Sequence, residues 1–165
     1  MTLRFFSPAP YPAEEEERQK AVELSGVLRR GGDRHLQEIV ERAAQRFHAP
    51  IAAISIIDRD RQWFVAKTGV ETEETPRAVS FCAHALHRPG EPLLVQDARK
   101  DQRFQGNPLV TGAPHIRFYA GVPLVDRTGY TLGALCIIDR SPRPEKVDLF
   151  ELSLLAREAE REINR

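Results

Sequence analysis

The chain has 165 residues, which suits one domain with a single apolar core. Lys plus Arg and Asp plus Glu are equal at 24 each, so the formal net charge is zero. That excludes the basic footprint of a nucleic-acid binder and polybasic attraction to a membrane surface, and it favours self-association. No run is long and apolar enough to span a bilayer, and Met1 to Pro12 lacks the apolar stretch of a secretory signal. Two cysteines, Cys82 and Cys136, are too few for a disulfide scaffold and lack Cys-x-x-Cys spacing, so a reduced, cytoplasmic protein is expected.

Met1 to Tyr11, with Pro8 and Pro10, reads as a loose lead-in. Glu14 to Leu28 is expected to be a helix. Its acidic start suits the positive end of the helix dipole, and Ala21, Leu24 and Leu28 share a face with Val27 beside them. Gly31-Gly32 ends it, and Asp33 can cap a second helix. There Leu36, Ile39, Val40, Ala43, Ala44 and Phe47 recur at helical spacing, until His48-Ala49-Pro50 breaks the pattern.

The period then changes to two. Ile51 to Ile57 and Gln62 to Lys67 read as strands of a hairpin turning at Asp58-Arg59-Asp60. A short helix is expected around Ser80 to Leu86, then a short strand at Leu93 to Val95 and a loop-rich stretch from Asp97 to Pro114. Ile116 to Leu124 and Tyr130 to Ile138 read as a second hairpin. A last helix is expected from about Glu145 to Ile163 with two apolar stripes, Val147-Phe150-Leu154 and Leu152-Leu155-Ala156-Ala159-Ile163. A helix apolar on two sides needs two partners: the sheet, and either the first helix or a second copy of the chain. Antiparallel hairpins with helices packed on them make the fold class α+β.

Four groups of residues are candidates for chemistry. Cys82 and His84 suggest a nucleophile beside a base, but residues two apart on a helix do not face each other. Cys82 instead joins Val79, Ala83 and Leu86 in an apolar stripe, the expected place of a core thiol. Ser80, His84 and His87 share the opposite face, either at a pocket mouth or in solvent. His84, His87, His115, Cys82, Cys136 and Asp97 are the possible metal ligands, and no spacing among them makes a three- or four-ligand site, so no metal is expected. Trp63 and Phe64 are strand neighbours, so one enters the core while the other meets a cleft, a partner or water. Arg117 and Tyr119 share a strand face and together suit an anion, unless Arg117 simply lies on the solvent side of an edge strand. There is no Gly-x-Gly-x-x-Gly, phosphate-binding loop or Ser elbow.

Several stretches in order resemble the GAF domain family. They are Pro50-Ile-Ala-Ala-Ile-Ser-Ile-Ile-Asp58, Asp60-Arg-Gln-Trp-Phe64, Glu74-Thr-Pro-Arg77 and Ser80-Phe-Cys-Ala-His84. Val95-Gln-Asp-Ala98, Asp101-Gln-Arg-Phe104, Arg117-Phe-Tyr-Ala-Gly-Val-Pro-Leu124 and Gly133-Ala-Leu-Cys-Ile-Ile-Asp139 follow. The resemblance covers about Arg34 to Ile163. It sets a lead-in and helix at 1–33 apart from a GAF domain at 34–165, of the kind found ahead of bacterial diguanylate cyclases and sensor histidine kinases.

The resemblance implies a GAF/PAS-like central antiparallel sheet of five to six strands, flanked by N- and C-terminal helices. It places a pocket on the sheet face opposite them. It implies a homodimer through the terminal helices, a small-molecule ligand, and a signalling partner such as a histidine kinase or diguanylate cyclase. Most such domains are not enzymes, so no catalytic residues are expected. The lining expected for the pocket is Trp63 or Phe64, His84, Asp97, Phe104, His115, Arg117 and Tyr119.

The family's known ligand types find little support. The cyclic-nucleotide pattern of the family is absent. Ala83 separates Cys82 from His84 where the bilin-attaching members have Cys-His. The two cysteines do not match those of the free methionine sulfoxide reductases. Neither ligand nor cofactor is named by the sequence. The readings kept beside sensing are a thiol-dependent enzyme of that reductase kind and a purely structural dimerisation module.

Overall fold

Ile51–Asp58 (β1) and Arg61–Thr68 (β2) pair as a tight hairpin through Arg59, which takes a positive φ of 53°. The computed structural model in which they lie describes residues 5–165; Met1 to Arg4 of the lead-in fall outside the described residues. Four more strands, Glu74–Pro76 (β3), Leu93–Val95 (β4), Phe118–Val125 (β5) and Thr131–Asp139 (β6), complete an antiparallel sheet in the order β3-β2-β1-β6-β5-β4. β3 was not anticipated: it has three residues, one a proline, and its pairing with Arg61, Gln62 and Trp63 is entirely non-local.

Helices Glu15–Ser25 (α1), Arg34–Arg46 (α2) and Phe150–Ile163 (α4) cover one face of the sheet. Asp33 caps α2 as expected, its side chain accepting from the Leu36 N–H at 3.0 Å. Leu36, Ile39, Val40 and Ala43 of α2 and Leu152, Ala156, Ala159 and Ile163 of α4 pack on Ala52, Ile54 and Ile56 of β1 and Leu135 and Ile137 of β6. The other face carries the segments between β2 and β5, including a 3-10 helix at Cys82–His87 and the one-turn helix Pro108–Thr111 (α3). β1 is buried at every position because both its faces are covered.

Four local expectations need correction. Leu24 is 87% exposed, because it lies within α1 off the face that meets the sheet, which is made by Arg18, Gln19, Ala21 and Val22. The turn after Gly26, not the helix itself, is what buries Val27. Ser80 to Leu86 forms no α-helix; the segment winds as a 3-10 helix, with Ser80 buried rather than facing solvent or a mouth. α4 starts at Phe150, and residues 145–149 approach it without helical structure.

The N-terminal helix is fixed by charge rather than by apolar area. Arg18, almost fully buried, ion-pairs with Glu15 at 2.7 Å and donates to the carbonyls of Ile57 and Thr131. Arg77, equally buried, reaches Glu15 from the other side at 2.6 Å and donates to the Arg59 carbonyl. Burial alone would raise the Glu15 carboxyl, but the two guanidiniums outweigh it and hold its pKa at about 2.

Candidate functional site

The face opposite the helices holds a cavity of about 500 Å³, within the roughly 300–1,000 Å³ usual for small-molecule pockets. Strand alternation supplies its floor. Ile51, Ala53 and Ser55 of β1, Gln62 and Phe64 of β2, Tyr119 of β5, and Cys136 and Ile138 of β6 all point to this side. Phe81, Cys82, Leu109 and Ile116 form the wall, and Glu71, Thr72, His115 and Arg140 lie at the opening.

A β-bulge sets which aromatic faces the cavity. Ile54 pairs with Ala66 but Ser55 pairs with Phe64, so Val65 is the extra residue of β2. Val65 and Ala66 both pack on the helix side, and Phe64 turns to the cavity. Trp63 goes to the helix face, where a Cβ at Gly31 would press tightly on its ring at 3.3 Å.

The polar groups of the floor fall into two sets. In the first, the Ser80 hydroxyl donates to Gln62 Oε1 at 2.7 Å, and Gln62 Nε2 donates to Thr75 Oγ1 at 2.9 Å. These groups are spent on one another and hold the β2–β3 edge. In the second, the Tyr119 hydroxyl donates to Cys82 Sγ at 3.0 Å, and Cys136 borders the same cavity. The neighbouring Cys136 thiol foremost, with the Tyr119 hydroxyl, lowers the Cys82 pKa against the pull of burial. The same Cys82 neighbour and burial push Cys136 well up, so it keeps its proton. Burial, with the neighbouring thiols, also raises Tyr119. Ser55 lies on the same floor, fully buried, its hydroxyl without an oxygen or nitrogen partner.

Of the residues singled out from the sequence, Phe64, His115 and Tyr119 line the cavity. Trp63, His84, Asp97, Phe104 and Arg117 lie outside its lining. His84 stands edge-on to Phe104 at 4.8 Å; Phe104 stacks on Phe81 at 4.0 Å, and Phe81 meets Tyr119 at 5.3 Å. The two therefore buttress the cavity wall from behind. Burial, then the Arg103 charge, lowers His84 to about 4, so its ring is neutral at physiological pH. Asp97 caps the turn at Ala98–Lys100 and pairs with Arg99 at 3.2 Å. One terminal nitrogen of the Arg117 guanidinium donates to the Val110 carbonyl at 2.8 Å and the Ile116 carbonyl at 3.1 Å, pinning α3.

Ser55, Gln62, Cys82 and Cys136 were missed as lining residues. Strand alternation puts Ser55 and Cys136 on the same face as Phe64. Cys82 is buried as expected, but at the edge of an open space rather than in solid core. Among the described residues no group of three or more His, Cys, Asp and Glu side chains is placed to hold a metal.

The GAF domain model matches residues 33–163. The chain belongs to the GAF domain family. As a GAF domain it is a sensor-type regulatory module. It is 49% identical, over 134 residues and 81% of its length, to a cyclic di-GMP phosphodiesterase of Pseudomonas aeruginosa. It spans only 23% of that protein. Among solved structures, the cyanobacteriochrome receptor PixJ superposes with a TM-score of 0.64 at 17% identity, covering 93% of this chain and 99% of that one. A free methionine-R-sulfoxide reductase from Neisseria meningitidis, in complex with its substrate, superposes with a TM-score of 0.63 at 19% identity, covering 99% and 96%. At those identities the likeness is one of fold. Among the described residues no helix is long and apolar enough to cross a membrane.

Proposed function

We propose that this GAF domain senses a small, mainly apolar molecule in the cavity over its sheet and relays the bound state without turning the molecule over. The observation that carries the reading is the cavity itself: apolar walls with one buried hydroxyl, Ser55, left unpartnered on the floor. A buried hydroxyl without a partner costs about 1–3 kcal/mol, and a ligand polar group placed against it recovers that cost. An open cavity also favours sensing over a module that only dimerises. Isothermal titration of candidate ligands drawn from native cell extract, with wild-type and Ser55→Ala protein, tests this. The expected result is a ligand that loses affinity about tenfold in Ser55→Ala.

In this reading the output leaves through the helix face. Phe150 is 66% exposed and Leu154 52% exposed on α4, the stripe that the sheet does not cover. A second copy of the chain pairing there would link the two cavities through α4, and the zero net charge sets no barrier to it. Sedimentation should give a dimer that Phe150→Glu with Leu154→Glu converts to monomer. The similarity to a cyclic di-GMP phosphodiesterase supports cyclic di-GMP turnover, by a diguanylate cyclase or phosphodiesterase, as the regulated output. A histidine kinase is the other partner of this class.

A further inference from the structure

The dithiol on the cavity floor is unused by ligand sensing, and its geometry is specific. Cys136 lies opposite Ala53 of β1 and Gly121 of β5, so its flanks on the cavity face are small. Gly121 matters for what it lacks. A Cβ there would overlap the Tyr119 hydroxyl, so only glycine lets that ring lie across the sheet and bring its O–H to Cys82. Cys82 Sγ thereby receives the Tyr119 hydroxyl, and its segment packs on β6 so that Cys82 and Cys136 line the same cavity. A thiol that only fills space needs no donor aimed at it. A hydroxyl donating to the sulphur favours a thiolate, the nucleophilic form. Both sulphurs border a cavity that opens past His115 and Arg140, so a small reagent can reach groups that bulk solvent does not.

We propose that Cys82 and Cys136 are a redox-active dithiol, oxidised to a disulfide by a small hydroperoxide that enters the cavity. The Cys82 thiolate attacks the peroxide O–O bond. One oxygen becomes the hydroxyl of a sulfenic acid on Cys82; the other leaves as alkoxide and takes up the proton that Cys82 had released. The Cys136 sulphur then attacks Cys82, and the sulfenic hydroxyl leaves with the Cys136 proton as water. In sum, two thiols and one hydroperoxide give one disulfide, one alcohol and one water. The bridge ties β6 to the Cys82–His87 segment that walls the cavity. The inference does not depend on which molecule the cavity binds.

The test uses the full chain, reduced and then treated with equimolar hydrogen peroxide. The expected result is concerted loss of both free thiols and of two hydrogens from the intact mass. A peptide map should link Cys82 to Cys136, and dithiothreitol should reverse the change. Cys136→Ser should stop at a Cys82 sulfenic acid that dimedone captures, and Tyr119→Phe should slow thiol loss several-fold. Cumene hydroperoxide should react more slowly than hydrogen peroxide, because it must fit the cavity. The proposal is overturned if wild-type thiols oxidise no faster than free glutathione, or if only disulfides between chains form. The wild-type arms decide the matter even if a variant does not fold.

Discussion

The two faces of one sheet do opposite jobs with alternate residues of the same strands. On the helix face, Ile54, Ile56, Leu135 and Ile137 meet α2 and α4 in a filled apolar layer. On the other face, Ala53, Ser55 and Cys136 look into a cavity lined partly by groups with polar atoms. Every strand position is therefore either a stability residue or a site residue, decided by parity and, at Val65, by one bulge. The two faces therefore tolerate change differently. Large side chains on the helix face hold the fold, and small side chains on the cavity face hold space open.

The largest effect should come from breaking the filled face. Ile137→Ala, fully buried there, should cost about 2–5 kcal/mol in urea unfolding. An equal loss from Ile138→Ala, which faces the cavity, would erase the distinction between the faces. Next is Gly121→Ala, which should cost about 1–3 kcal/mol because the Tyr119 ring must move. It should also shrink the cavity, and a crystal structure of the variant would show this directly.

The helix-side anchor of α1 gives a pH signature. The Glu15 carboxylate is held down to about 2 in the folded protein, so its contribution is full above its ordinary value near 4.5. That contribution is lost as pH falls between those values. Melting temperature should drop over this window, and Glu15→Gln should flatten the drop. The smallest effect belongs to the cavity face. Ser55→Ala should change stability by under about 1 kcal/mol, or raise it slightly, because it removes a buried hydroxyl with no oxygen or nitrogen partner.

The sequence made the scaffold legible and about half of the site. Period-two and period-3.6 patterns marked five strands and three long helices, because those patterns are local and strongly amphipathic. β3 escaped because its pairing is its only reason to exist, and a three-residue segment with Pro76 has no pattern of its own. Leu24 is exposed because the face of α1 that meets the sheet runs through Arg18 and Gln19, polar residues that apolar spacing does not mark.

At the site, alternation separates Trp63 from Phe64 and sets Tyr119 beside Arg117. It also carries Ser55 and Cys136 to the cavity face, but a continuous apolar strand gives no sign of which face is open. Arg117 and Asp97 looked like ligand groups, but their partners are backbone and neighbouring charges within the same loops. Arg18 and Arg77 drew no attention, since nothing local announces that a charged side chain will be buried between elements far apart in sequence.

Ligand sensing at the cavity face is tested most directly by native mass spectrometry of the protein purified from its own cells, beside an Ala53→Phe variant that fills the cavity and an Arg46→Ala variant on the helix face. The expected result is a small-molecule adduct on wild type and Arg46→Ala that is lost from folded Ala53→Phe. An adduct that persists in folded Ala53→Phe would rule out sensing at this face.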